Sequence, residues 1–195
     1  MTQVLQTLGW LACIFYATIP SFWLMIHPCA DYWRARRHSP YFVVLPMWAA
    51  MWLLVGAFTW PWRHVAVYKT PLTWIPAVLL FIVGILLYRA AGRHFSGAQL
   101  GGRPELERAR EQRLITLGIH GRIRHPVYLA HFCEMLGWTV GTGLAVCYGL
   151  AVFALITGAA MVRLEERELR ARFGDDYREY QSRVPAFLPT FRRPV

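Results

Sequence analysis

Long runs without charge constrain this chain more than any other feature. Val4–Ile26, Tyr41–Trp62 and Pro71–Tyr88 contain no charged residue, and Pro126–Val162 contains one, Glu134. A helix crosses the roughly 30 Å apolar core of a bilayer in about 20 residues, and it satisfies its own backbone polar groups while doing so. The first three runs are therefore predicted to be single crossings. The fourth would measure about 55 Å as one helix, so it is predicted to fold back as a hairpin of two short helices, turning near Gly141-Thr142-Gly143. Gly137, Gly141, Gly149 and Gly158 are expected to let helices approach closely. From Arg163 to Arg183 charges recur at helical spacing, which predicts an amphipathic helix outside the apolar core. The expected fold is all-α and polytopic: five transmembrane helices, with a C-terminal helical hairpin and a cytoplasmic amphipathic helix. Residues 1–88 would form a three-helix membrane region. Residues 89–195 would hold a polar loop, the hairpin and the last helix as one integrated domain. The alternative is a single tilted helix over Pro126–Val162, which gives four spans.

The 195 residues are 56% hydrophobic and carry a net charge of +10. So basic a chain could bind nucleic acid, but all 21 Lys and Arg lie outside the apolar runs, as on a membrane-facing surface. Three arginines (Arg34, Arg36, Arg37) follow the first run, eight lie between Arg89 and Arg124, and eight lie between Arg163 and Arg193. Only Arg63 and Lys69 fall in the remaining loop. With five spans this puts the N-terminus outside and both the 89–125 loop and the C-terminus in the cytoplasm, because basic loops stay inside. A bacterial inner (plasma) membrane is the expected location. Met1-Thr2-Gln3 has no basic n-region, so the first run is read as a retained anchor. Cys13, Cys29, Cys133 and Cys147 form no C-x-x-C pair, so neither a disulfide framework nor a metal site is expected.

Two polar clusters flank the hairpin. One runs from Leu114 through His120, Arg124, His125 and Pro126 to Tyr128. The other is Glu165-Glu166-Arg167-Glu168-Leu169, followed by Phe173-Gly174-Asp175-Asp176-Tyr177 and Tyr180. A hairpin returns its far end close to its start. His125 and Tyr128 should therefore lie near Glu165 and Glu166, in a cytoplasm-facing pocket of imidazole, phenol and carboxylate suited to a cationic, polar cofactor. Tyr177 and Tyr180 are read as packing residues. Glu166 and Glu168 are also open to a second reading, as partners of neighbouring arginines.

Arg124-His125-Pro126-Val127-Tyr128, with Leu114-Ile115-Thr116-Leu117-Gly118 before it and Glu165-Glu166 and Phe173 to Pro185 after it, resembles the isoprenylcysteine carboxyl methyltransferase family. Related phospholipid methyltransferases share its core. The similarity covers roughly Gly92 to Pro189 and includes Gly92-Arg93-His94-Phe95-Ser96. The resemblance implies S-adenosyl-L-methionine as cofactor. Gln112, Leu114, Ile115, Gly118 and His120 would surround its adenosine or methionine part, with His120 standing where the family usually has Tyr. Arg124, His125, Pro126 and Tyr128 would line the pocket. Glu165 would pair with ribose hydroxyls or the amino group, with Glu166 beside it. The family expects a substrate-holding arginine four residues before the first glutamate, where this chain has Met161. Arg163 is the nearby candidate, but it is about 200° further around a helix and does not simply substitute, which counts against a prenylcysteine carboxylate.

Methyl transfer from a sulfonium is an in-line displacement, in which the protein mainly positions the groups and excludes water. A carboxylate acceptor needs no base, whereas an amine or thiol does. Glu134 and His131, three apart on one helical face, are the candidates for that base. Each also has a bland reading, as a buried group satisfied by a structural hydrogen bond. The expected partners are a lipophilic or lipid-modified small-molecule substrate and membrane lipids, with no nucleic acid. The alternative activity is an NADPH-dependent membrane reductase of the sterol reductase type, which carries a similar Arg-His-Pro-x-Tyr segment. Its Asn stands where this chain has Val127, and its later acid where this chain has His131.

Overall fold

The computed structural model describes residues 3–35, 41–93 and 114–188. Gln112, Arg36, Arg37, the 94–113 part of the polar loop and the tail from 189 onward lie outside these described residues. Among the described residues six α-helices follow one another: α1 Gln3–Ile26, α2 Ala30–Ala35, α3 Tyr41–Thr59, α4 Trp74–Gly92, α5 Pro126–Thr142 and α6 Ala145–Arg183. Short 3-10 turns extend α1 through Cys29, α3 through Trp62 and α4 back to Pro71. No strand occurs among the described residues. Among the described residues four helical stretches are long and apolar enough to cross a membrane: Gln3–Cys29, Tyr41–Trp62, Pro71–Gly92 and Ala145–Arg183. The intervening α5 has 17 residues.

The long apolar run does break into a hairpin. Pro126 sits in the first turn of α5, where its missing N–H costs nothing. Gly143, at φ +65°, ends the helix in the left-handed conformation, its N–H donating to Thr139 O at 3.0 Å. A Cβ at Gly143 would also stand 2.6 Å from the Tyr68 ring. One expectation is corrected here: the second arm is not short. Once started at Ala145, nothing in the sequence stops the helix at Val162, and α6 runs on into the charged segment. Its backbone leaves helical geometry only at Gly174 (φ 57°, ψ −127°), a conformation that a side chain would strain. The charged segment is thus the continuation of a membrane helix, bent at Gly174, rather than a separate one. Asp175 and Asp176 follow that bend.

Helix α1 lies at the centre. Trp10, Cys13, Ile14 and Ala17 pack with Met135 of α5 and with Leu144, Cys147, Leu150, Ala151 and Ala154 around α6. Indole N–H groups tie α3 to α1: Trp10 donates to Thr59 Oγ1 (2.9 Å) and Trp48 to Thr18 O (3.0 Å). Helix α4 packs mainly on α5, which small residues permit. A Cβ at Gly137 would meet Phe81 at 2.9 Å, and one at Gly141 would meet Trp74 at 3.0 Å. The expectation of close approach fails at Gly149, where no atom lies within 4 Å. The outer faces of α3 and α4 stay exposed and apolar, with Phe42, Leu53, Leu54, Phe58, Ile75, Leu79 and Leu86 among them. A water-soluble fold rarely leaves such a surface bare.

The contacts sort the connections into two ends. At one end Val67 N donates to Gly143 O (2.8 Å) and Ala145 N to Val65 O (2.9 Å), so the α3–α4 loop caps the hairpin turn. At the other end His27 meets Glu168, and His125 meets Glu165 and Glu166.

Candidate functional site

At that second end two backbone hydrogen bonds fix the mouth of the hairpin to the chain beyond α6: Arg124 N to Pro185 O (2.9 Å) and His125 N to Ala186 O (3.0 Å). They aim the two side chains in different directions. The Arg124 guanidinium turns under α6, donating from Nε and Nη2 to Glu166 Oε1 (3.0 and 2.6 Å) and from Nη1 to the carbonyls of Gln181 (3.2 Å) and Val184. Gln181 Nε2 donates to the other Glu166 oxygen at 2.7 Å. Glu166 therefore sits at the hub of a largely buried network joining three segments. Burial alone would raise its carboxyl, but hydrogen bonds from His125 and Arg124, and their charges, outweigh that and lower it to about 2. The group lies four residues beyond the apolar run that ends at Val162.

The His125 ring is buried between the two glutamates, with Nε2 3.2 Å from Glu166 Oε1 and Nδ1 3.5 Å from Glu165 Oε2. Tyr128, one helical turn on, stacks on it (centroids 5.6 Å, planes 17° apart), and Phe187 leans on it at 5.7 Å. Behind this pair, Tyr180 donates to His120 O at 2.6 Å and, with Tyr177 and Val184, packs against Leu114, Leu169 and Phe173.

Above the ring opens a cavity of about 550 Å³. His120, Arg124, His125, Pro126, Tyr128, His131 and Glu165 line it together. Its opposite wall comes from the N-terminal half: Trp23 and His27 of α1, Tyr41 and Trp48 of α3, and Tyr88 of α4. His27 is held there by a 2.6 Å hydrogen bond between Nδ1 and Glu168 Oε2 and by stacking on Trp23 (5.4 Å, 23°). None of these five residues is expected at the site from the sequence, where the indoles, Trp23 among them, read as belt or core residues. The available signal was Glu168, three positions from Glu165 and hence on nearly the same helical face, which requires a partner on whichever helix packs there.

A second cavity, of about 300 Å³, adjoins the first between α1, α5 and α6. Ile19, Tyr128 and His131 face both. Apart from Tyr16, Tyr128 and His131 its lining is apolar and includes Leu129, Phe132, Met135, Leu155, Met161 and Val162.

The remaining predicted site residues lie elsewhere. Leu114 packs against the Tyr177–Tyr180 cluster, Ile115 is half-buried, and Gly118 (φ +62°) opens an exposed turn. Glu166 is beneath the cavity, organising its floor. Arg163 is exposed on α6 and lines neither cavity. Glu134 also lines neither. It accepts a hydrogen bond from the Tyr16 hydroxyl and rests against Gly84 of α4, where a Cβ would stand 2.7 Å from its Cγ.

No family model matches the chain, and no solved structure gives a significant match. Curated relatives do match, among them the following three. The protein-S-isoprenylcysteine O-methyltransferase of Mus musculus is 30% identical over 128 residues, spanning 60% of this chain and 42% of that protein. The cobalt-zinc-cadmium resistance protein CzcN of Cupriavidus metallidurans is 32% identical over 120 residues (60% and 52%). The nickel-cobalt-cadmium resistance protein NccN of Alcaligenes xylosoxydans xylosoxydans is 35% identical over 122 residues (60% and 53%). The chain spans about half the length of the curated relatives it matches.

Proposed function

We infer, from the membership of this chain in the isoprenylcysteine carboxyl methyltransferase family, that it is an integral membrane enzyme that methylates a lipophilic substrate with S-adenosylmethionine. The observation that carries the reading is one shared cavity: His125 and Tyr128 from the start of the hairpin and Glu165 from its return line the same space, beside His27 from α1.

The residues present fit the cofactor. A cavity of about 550 Å³ lies within the roughly 300–1,000 Å³ typical of small-molecule sites. Its carboxylate at Glu165 and the aromatic faces of Trp23, Tyr88 and Tyr128 suit a cation and its amino group. When bound, the cofactor supplies an activated methyl on a sulfonium. The chain's own residues then do the rest. Glu165 orients a cationic or hydroxyl group, and His125 is locked by Glu166 and Tyr128 as part of the wall. The N-terminal aromatics exclude water, which strengthens each polar contact in the site. The adjoining apolar cavity receives the lipophilic part of the substrate from the bilayer. Leu114, Ile115 and Gly118 belong to the approach from the polar loop, whereas Glu134 acts through Tyr16 as a positioning residue.

The chain crosses the membrane five times, with α5 counted as a crossing, in a bacterial plasma membrane. Its N-terminus is outside, and its C-terminus is with the cofactor in the cytoplasm. Support comes from the two ends into which the contacts sort the connections, since Arg124 and Arg170 meet Glu166 at one of them and the sparsely charged 63–69 loop lies at the other.

Titration calorimetry on detergent-purified protein tests the reading. S-adenosylhomocysteine should bind with a micromolar Kd, and Glu165→Gln and His125→Ala should each weaken it about tenfold or more while the protein still purifies. Binding of NADPH with none of S-adenosylhomocysteine would overturn the reading in favour of reduction.

A further inference from the structure

The α1 wall of the first cavity is braced from α6, and the brace ends on an indole. We propose that Trp23 is the face that holds the sulfonium of the cofactor, and that Glu168, which lines neither cavity, is a positioning residue that acts on Trp23 through His27. This rests on the methyltransferase reading above and deepens it, by naming where the charge of the methyl donor is recognised.

A sulfonium is a cation with no N–H or O–H to donate, so the hydrogen bonds that hold an ammonium do not hold it. Aromatic faces recognise such cations through the ring quadrupole, and indole does so best. The two cavities say where that face is needed. Ile19, Tyr128 and His131 line both, so a group that gives its methyl to an acceptor from the second cavity has to be held beside them. Trp23 follows Ile19 by four residues and lies on the same face of α1. His27, in the turn that follows α1, comes four later, and all three line the first cavity. A second indole lines it from α3, but Trp48 is turned onto α1, with its N–H on Thr18 O and Phe15 and Phe22 packed edge-on against its ring.

The brace on Trp23 is polar and nearly buried. The side chains of His27 and Glu168 are 3% and 13% exposed, with Nδ1 2.6 Å from Oε2. Holding α1 to α6 does not call for such a pair, since apolar side chains of similar volume do it at a lower desolvation cost. What a hydrogen bond adds is direction. It fixes the plane of the His27 ring, and the indole stacked on that ring is fixed with it, the centroids 5.4 Å and the planes 23° apart. The brace does not oppose a cation. With Glu168 ionised, its pair with His27 is anionic or neutral however the ring is protonated. Arg172, 3.6 Å from the same carboxylate, carries its guanidinium over Phe173 and lines neither cavity. Two acids one turn apart on α6 thus divide the work: Glu165 meets the donor groups of the cofactor directly, and Glu168 sets the ring that meets the charge without donors.

The test is titration calorimetry on the full-length protein in detergent, with no acceptor present. It compares S-adenosylmethionine with S-adenosylhomocysteine, which lacks the methyl and with it the charge. Trp23→Leu should weaken S-adenosylmethionine about tenfold and S-adenosylhomocysteine by less than about threefold, the second result showing that the variant is folded. Trp23→Phe keeps a smaller aromatic face. It should fall between the wild type and Trp23→Leu for the charged ligand alone, and it carries the test if Trp23→Leu does not purify. Glu168→Leu should weaken S-adenosylmethionine several-fold with the same selectivity, and should add little in the Trp23→Leu background, because it acts through the indole. Equal loss of both ligands, loss of neither, or a selective loss in Trp48→Leu in place of Trp23→Leu would overturn the assignment of Trp23. Additive effects of the two changes would overturn the role given to Glu168. If the wild type binds neither ligand, the methyltransferase reading itself falls.

Discussion

At the scale of single residues, Glu166 shows how a network differs from a ligand. It never reaches the cavity, yet it fixes both residues that do the fixing, Arg124 and His125. Glu166→Ala would leave the Arg124 guanidinium largely buried without its carboxylate, a change that typically costs about 3 kcal/mol or more. We expect a clearly lower thermal midpoint in detergent, and weaker S-adenosylhomocysteine binding because His125 loses its anchor. The pH dependence has a definite sign. Its folded value, about 2, lies below the ordinary 4.5, so its stabilisation is complete above 4.5 and is lost as pH falls toward 2. The midpoint should therefore drop between pH 4.5 and 2 more steeply in the wild type than in Glu166→Ala, and this group should add no slope between pH 5 and 8. Glu134 was legible in the sequence as an exception, a lone acid in an apolar run. Its partner was not, because Tyr16 lies on a helix 118 residues away and only helix packing brings the two together.

Among the elements, the glycines separate contact from mere presence. Gly84→Ala would force a methyl to 2.7 Å from Glu134 Cγ and 3.2 Å from Ala130 O, so α4 must move off α5. Gly149→Ala meets nothing within 4 Å and gains helix propensity. Thermal unfolding in detergent should place Gly84→Ala well below the wild type and Gly149→Ala within about 0.5 kcal/mol of it. Gly174→Ala strains the bend of α6 by about 1–3 kcal/mol and should shift Tyr177 and Tyr180, which brace His120 and the floor of the cavity. Its S-adenosylhomocysteine affinity should fall several-fold although no residue of the cavity wall has changed. Spacing placed the hairpin turn within a residue of its observed position, since Gly143 is the one residue there with a backbone that needs glycine. The length of α6 was misjudged for a reason of the same kind. A change from apolar to charged residues marks where a helix leaves lipid, not where it ends, and the sequence has no stop before Gly174.

Across the whole molecule, the arginine-rich segments that follow α1, α4 and α6 should face one compartment. A green fluorescent protein fused at the C-terminus should fluoresce, and alkaline phosphatase inserted near Thr70 should be active. The reverse pattern would refute the orientation. What the sequence determined by itself was everything governed by local solvation and local geometry: which stretches enter lipid, where the long run must turn, and which polar cluster sits at each end of the hairpin. Tertiary structure alone decided the far wall of the cavity, the diversion of Glu134 onto Tyr16, the burial of Glu166 rather than its exposure to a ligand, and the junction at His131. These depend on which face of α1 and α4 meets the hairpin. Helices that are apolar all round carry no periodic signal of which side packs and which side meets lipid.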